Sequence, residues 1–143
     1  MFISVQHIEI EREIPAPPER VWDVVADHRG WTRWAGAREV VLRSEGDPAP
    51  NGLGAVRVLR GRGIAIEEEI VGFDPPRCLA YRISAGLPVK RHRAEIQLEP
   101  AGTGTRLRWT AEFAPAIPLT GRLLRYGLER ALEQMVSSLA DQF

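Results

Sequence analysis

Ile8, Ile10 and Ile14 alternate with Glu9, Glu11 and Glu13 near the start of the chain. That period of two predicts a strand with one apolar and one wet face, and Arg12 shares the apolar face. Proline-rich Pro15-Ala16-Pro17-Pro18 ends the strand. Pro18 suits a first helical turn because its missing amide would be unpaired there, and Glu19 favours the positive end of the helix dipole. Val21, Val24 and Val25 then form a buried stripe. Trp31 and Trp34, three apart, fall on one side of a short second helix or turn and are expected to plug one end of a sheet.

Strand patterns separated by turn chemistry follow. Glu39 to Arg43 leads into a polar loop from Ser44 through Gly52, long enough to border an opening. Ala55 to Arg60 and Ile64 to Phe73 are joined by Gly61-Arg62-Gly63, and Asp74-Pro75-Pro76-Arg77 turns the chain into the alternation of Leu79, Tyr81 and Ile83. Lys90 to Leu98 and Thr105 to Phe113 complete seven antiparallel strands. From Pro118 to about Ala140, Leu124, Leu128, Ala131, Met135 and Leu139 recur at spacings of three and four, which predicts a long amphipathic helix. Arg122, Arg125, Glu129, Arg130 and Glu133 mark its wet side. The order predicts an α+β fold: a curved sheet wrapped around one long helix, leaving a cavity instead of a solid core.

Composition narrows the partners. At 143 residues, with no internal repeat and no Gly/Ser linker, the chain reads as a single domain over 1–143. Nineteen basic residues balance nineteen acidic ones, so no whole-molecule field draws it to nucleic acid. The run Lys90-Arg91-His92-Arg93 splits between two strand faces. No apolar run approaches the roughly 18 residues of a membrane span, and the acidic, strand-like start lacks the regions of a signal peptide, so a cytoplasmic location is expected. One cysteine, Cys78, excludes an internal disulfide. His7, His28 and His92 lie far apart with no ligand-type spacing, and the glycine pairs fit hairpins, so neither metal nor nucleotide cofactor is expected. A monomer and a homodimer are both compatible with the sequence.

Four segments carry a family resemblance: Ile14 to Trp22, Asp27 to Trp34, Gly72 to Tyr81 and Gly104 to Trp109. They resemble the helix-grip superfamily of START lipid-transfer domains, polyketide cyclases and dehydratases, and pollen-allergen relatives, over essentially the whole chain. The resemblance implies a hydrophobic cavity between a concave sheet and the C-terminal helix, and a ligand such as a lipid, polyketide or aromatic metabolite.

Strand phase proposes the cavity wall. Arg12 is in phase with Ile10 and Ile14, Arg60 with Val56 and Val58, Glu68 with Ile66 and Ile70, and His92 with Ala94 and Ile96. Tyr81 and Trp109 follow the apolar faces of their strands, while Leu124, Leu128 and Met135 cover the cavity from the helix. Two readings remain open. The first is a carrier or sensor of a small hydrophobic or amphipathic molecule. The second is a polyketide cyclase or dehydratase in which Glu68 and His92 act as acid and base and an arginine stabilises oxyanion charge. A single register slip in any strand would exchange its inner and outer sets.

Overall fold

The computed structural model describes residues 5–143. Strand β1 (Gln6–Ile14) precedes helix α1 (Pro18–Val25), a 3-10 helix (His28–Arg33) and strand β2 (Glu39–Ser44). Strands β3 (Val56–Gly61), β4 (Ile64–Asp74), β5 (Cys78–Ala85), β6 (Val89–Ala101) and β7 (Gly104–Pro115) follow, then helix α2 (Gly121–Ala140). All seven strands join one antiparallel sheet in the order β1-β7-β6-β5-β4-β3-β2. Sequential strands pair as hairpins, and only β1 reaches across to the last strand. The helix-grip α+β architecture expected from the pattern is the one observed.

The helices close the sheet's concave side. On α1, Val21, Trp22 and Val25 are buried, and Trp22 meets Phe73 of β4 edge-on at 5.2 Å. The buried Thr105 hydroxyl donates to the Ala16 carbonyl at 2.7 Å, fixing the entry to α1 against β7. The 3-10 helix inserts Trp31, and Trp34 follows it into the core directly after the helix ends. Trp31 donates from Nε1 to the Val25 carbonyl at 2.8 Å, and its ring lies 4.5 Å from that of Trp34 and 5.8 Å from that of Trp109. These contacts satisfy the indole N–H of Trp31 while burying its apolar area, the arrangement that makes tryptophan tolerable in a core.

Helix α2 packs on β1 and β7. It begins at Gly121, three residues later than its pattern predicts, because Ile117 to Thr120 form a turn in which the Thr120 hydroxyl donates to the Ile117 carbonyl at 2.6 Å. Its C-terminal half buries Leu132, Val136, Leu139 and Ala140. Leu124, Leu128, Ala131 and Met135 from the expected stripe are only half-buried. That face covers a void, so its side chains lack sheet atoms beneath them.

Three strand irregularities aim residues inward. The β4–β5 register shifts between Glu67 and Glu68 and again between Ile70 and Gly72, and β6 carries an extra residue between Lys90 and Arg93 against β7. Arg91, at φ 52°, forms that bulge. It keeps His92 in phase with buried Ala94, Ile96 and Leu98 and returns Val89 toward the core. The β5–β6 turn uses Gly86 at φ 103°, where an added Cβ would stand 2.1 Å from the Ala65 carbonyl oxygen. Gly86→Ala combines a disfavoured φ with a clash against backbone, so it should destabilise by about 1–3 kcal/mol or more, read as a lowered urea midpoint.

Candidate functional site

The centre of the molecule holds a buried guanidinium. Arg57 of β3 is fully buried, and its cross-strand partner on β4 is Glu68. Arg57 donates from Nε at 3.0 Å and from Nη2 at 2.8 Å, both to Glu68 Oε1, and from Nη1 to His28 Nδ1 at 2.9 Å. The guanidinium carbon also lies 3.6 Å from the Trp31 ring centroid and 5.1 Å from that of Tyr81. A buried cation is tolerable only when a counter-ion, acceptors and π-faces replace its water. They come from three elements: Glu68 from β4, His28 and Trp31 from the 3-10 helix, and Tyr81 from β5.

This network fixes protonation states. Because His28 Nδ1 accepts from Arg57, its proton sits on Nε2, which donates to the Asn51 carbonyl at 2.8 Å. Burial, reinforced by the Arg57 charge, lowers the His28 pKa to about 3. The β2–β3 loop, which carries Asn51, is thereby tied to the core through a neutral imidazole. Burial raises the Glu68 carboxyl above its ordinary range, with Arg57 opposing. Both arginine bonds fall on Oε1, and Oε2 takes no hydrogen bond among the described residues.

Beside the pair, under α2, lies a cavity of about 100 Å³. Its wall is mostly apolar: Ile8, Trp31, Leu59, Ile66, Ile83, Leu87, Ala111, Leu128, Ala131, Leu132 and Met135, with Glu68, Tyr81 and His92 as the polar members. The His92 Nδ1 accepts the Ile83 amide at 3.0 Å, which leaves the proton on Nε2. Burial lowers the His92 pKa to about 4, so the ring is neutral at pH 7 and acts as a donor through Nε2. Tyr81 accepts from Trp109 Nε1 at 3.2 Å, and burial pushes its phenol well above the ordinary value. Its ring lies 5.8 Å from that of His92.

Glu68, Tyr81, His92, Leu128 and Met135 from the sequence-derived wall border this cavity. The other four lie outside its lining. Arg12 is exposed on edge strand β1 and borders a groove with Arg77, Glu99, Arg106 and Arg108, because a long cationic side chain at a sheet edge reaches water more cheaply than a cavity. Arg60 is exposed because the inner face of β3 carries Arg57 and Leu59, leaving Val56 and Val58 on the outer side. Trp109 is fully buried behind Tyr81 and supports it without joining the cavity wall. Leu124, one turn before Leu128, packs half-buried against the core outside the wall. Arg57 and His28 escaped the sequence reading. For Arg57 the available signal was pairing: Arg57 and Glu68 flank the Gly61-Arg62-Gly63 turn at positions a β3–β4 hairpin places opposite each other.

A curled seven-stranded sheet gripping one long helix over an apolar cavity defines the class of helix-grip domains. Residues 5–143 match the family described as "Polyketide cyclase / dehydrase and lipid transport", and the chain belongs to that family. An uncharacterized protein of Mycobacterium tuberculosis is 27% identical over 132 residues, covering 86% of this chain and 78% of its own. The structure of a START superfamily protein from Mycobacterium smegmatis superposes with a TM-score of 0.81 at 13% identity, covering 95% of each chain. That of Ara h 8.0201 gives 0.78 at 15% identity, covering 97% of each.

Removing one partner of the buried pair leaves an uncompensated charge. Arg57→Leu should therefore cost about 3–5 kcal/mol, and Arg57→Leu with Glu68→Leu should recover much of it, measured by urea unfolding. The histidines set a pH dependence. Unfolded histidine binds its proton near pH 6.5, whereas folded His92 and His28 do so only near pH 4 and 3. Apart from Glu68, whose raised carboxyl acts in the opposite sense, stability is therefore complete above about pH 6.5 and falls on acidification at about 1.4 kcal/mol per pH unit for each histidine. Between pH 6.5 and 4, His92→Gln should roughly halve that slope.

Proposed function

We propose that the chain binds a small, neutral, largely apolar molecule in the cavity beneath α2, oriented by Glu68, Tyr81 and His92. The observation that carries this reading is unspent hydrogen-bonding capacity on an apolar wall. Glu68 Oε2 is an acceptor, while His92 Nε2 and the Tyr81 hydroxyl each hold a proton with no acceptor among the described residues. A few convergent polar groups on an apolar lining are the features of a small-molecule site. An apolar cavity of about 150 Å³ takes up benzene, so at about 100 Å³ this one limits the ligand to a single ring, which enters as half-buried Leu128 and Met135 give way. A ligand with a hydroxyl at one end and a carbonyl at the other matches the acceptor and the two donors. Family membership supports the coarser statement that the ligand is hydrophobic.

One observation favours a second reading, acid–base catalysis of the cyclase or dehydratase type. The Glu68 carboxyl is raised by burial, the direction that makes a carboxylate a useful base near neutral pH. His92 is less suited to that role, because its unprotonated nitrogen is occupied by the Ile83 amide.

Isothermal titration with 4-hydroxyacetophenone, a phenol bearing a ketone, tests the binding reading. The wild type should bind it, Ala131→Phe should abolish binding by filling the cavity, and Glu68→Gln or His92→Ala should weaken it by roughly tenfold each. Absence of binding, or full affinity in Ala131→Phe, overturns this ligand class. Native mass spectrometry of freshly purified protein then identifies any retained molecule. If Glu68→Gln keeps affinity for that molecule but loses its conversion by about a hundredfold, the catalytic reading replaces the carrier.

A further inference from the structure

The loop between β7 and α2 and the first turns of α2 expose large apolar side chains that the core does not use. Leu119 is 103% exposed, Leu123 74%, Tyr126 61% and Ile117 54%. Leu123 and Tyr126 are three apart on one helix face, and Leu119 stands just before it. Four such residues fall between Ile117 and Tyr126, and clustered exposed apolar side chains mark interaction sites.

Along the two segments that meet at this end the charge is of one sign. No Asp or Glu occurs from Phe113 to Leu128 or from Ile83 to Ala94. The β5–β6 turn and the β7–α2 loop are held together, since Lys90 pairs with Ala114, Val89 with Pro115, and the Ala116 amide donates to the Pro88 carbonyl at 2.8 Å. The exposed Lys90 and Arg91 therefore stand at the same end as the exposed Arg122 and Arg125. The nearest acid along α2, Glu129, reaches Arg125 only at 3.7 Å. With zero net charge overall, this cationic end is a local feature.

We propose that this end is a docking surface for an anionic lipid bilayer. Leu119, Leu123 and Tyr126 insert at the headgroup–acyl boundary, and Lys90, Arg91, Arg122 and Arg125 lie over the phosphates. Exposed leucines and tyrosine beside arginines are the side chains that partition into such an interface. A second copy of the chain fits less well: a two-fold contact would face this cationic patch with an identical one, whereas an anionic surface neutralises it. The surface adjoins the cavity, because Leu87 of the β5–β6 turn and Leu128, one turn beyond Leu124, line it. Docking here turns that wall of the cavity toward the bilayer. The proposal stands on the surface alone and is independent of what the cavity binds.

Flotation of the full chain with vesicles tests it, using phosphatidylcholine alone and an equal mixture of phosphatidylcholine and phosphatidylglycerol. The protein should float with the mixed vesicles, weakly or not at all with the neutral ones, and less as salt rises. Leu119→Glu with Leu123→Glu should abolish binding, and circular dichroism should stay unchanged because both side chains are outside the core. Arg122→Gln with Arg125→Gln should lower partitioning roughly tenfold or more. The proposal is overturned if the wild type stays with the unbound fraction, or if either double variant floats as the wild type does. It is also overturned if sedimentation velocity shows a dimer that Leu123→Glu dissolves while vesicles bind nothing, since the surface would then belong to a second copy.

Discussion

A guanidinium without access to water organises the interior of this protein. Arg57 requires a counter-ion, further acceptors and polarisable faces at fixed directions, and Glu68, His28, Trp31 and Tyr81 meet those demands from β4, the 3-10 helix and β5. The pair contributes little net stability against an apolar equivalent, but a misplaced partner would strand a charge. Its larger effect is positional: it holds one carboxylate oxygen and leaves the other beside the cavity.

The same network explains why the cavity is polar at one place and apolar elsewhere. His28 carries the interaction outward to the β2–β3 loop through Asn51, while Tyr81 carries it toward Trp109 and His92. The Ile83 amide fixes the tautomer of His92 independently of Arg57. The two neutral histidines thus serve opposite ends of the site, one tying down a loop and the other presenting a donor. Helix α2 completes the enclosure with half-buried Leu128, Ala131 and Met135 over the void.

Seven strands, three helical segments and their order were legible in the chain because each rests on a local signal: alternation, hairpin glycines, Pro18 at a helix start, and the stripe from Leu124 to Leu139. Glu68 and His92 were legible because neighbouring isoleucine, alanine and leucine residues set their phase. Arg60 was misplaced because Val56 and Val58 are apolar yet face outward, while the inward face carries an arginine whose charge is neutralised eleven residues away. Hydrophobic pattern cannot register a charge that is satisfied across strands. Arg12 failed for a different reason, since phase says nothing about whether an edge-strand side chain bends into water.

The aromatic cluster gives the site an optical consequence. Trp31 touches the Arg57 guanidinium, sits against the cavity and lies within 4.5 Å of Trp34 and 5.8 Å of Trp109 between ring centroids. Indoles this close couple their electronic transitions, and a nearby charge shifts the emission of the ring it faces. The interior therefore contains its own spectroscopic reporter: near-ultraviolet circular dichroism and intrinsic fluorescence register occupancy of the cavity and the state of the buried ion pair without any added dye.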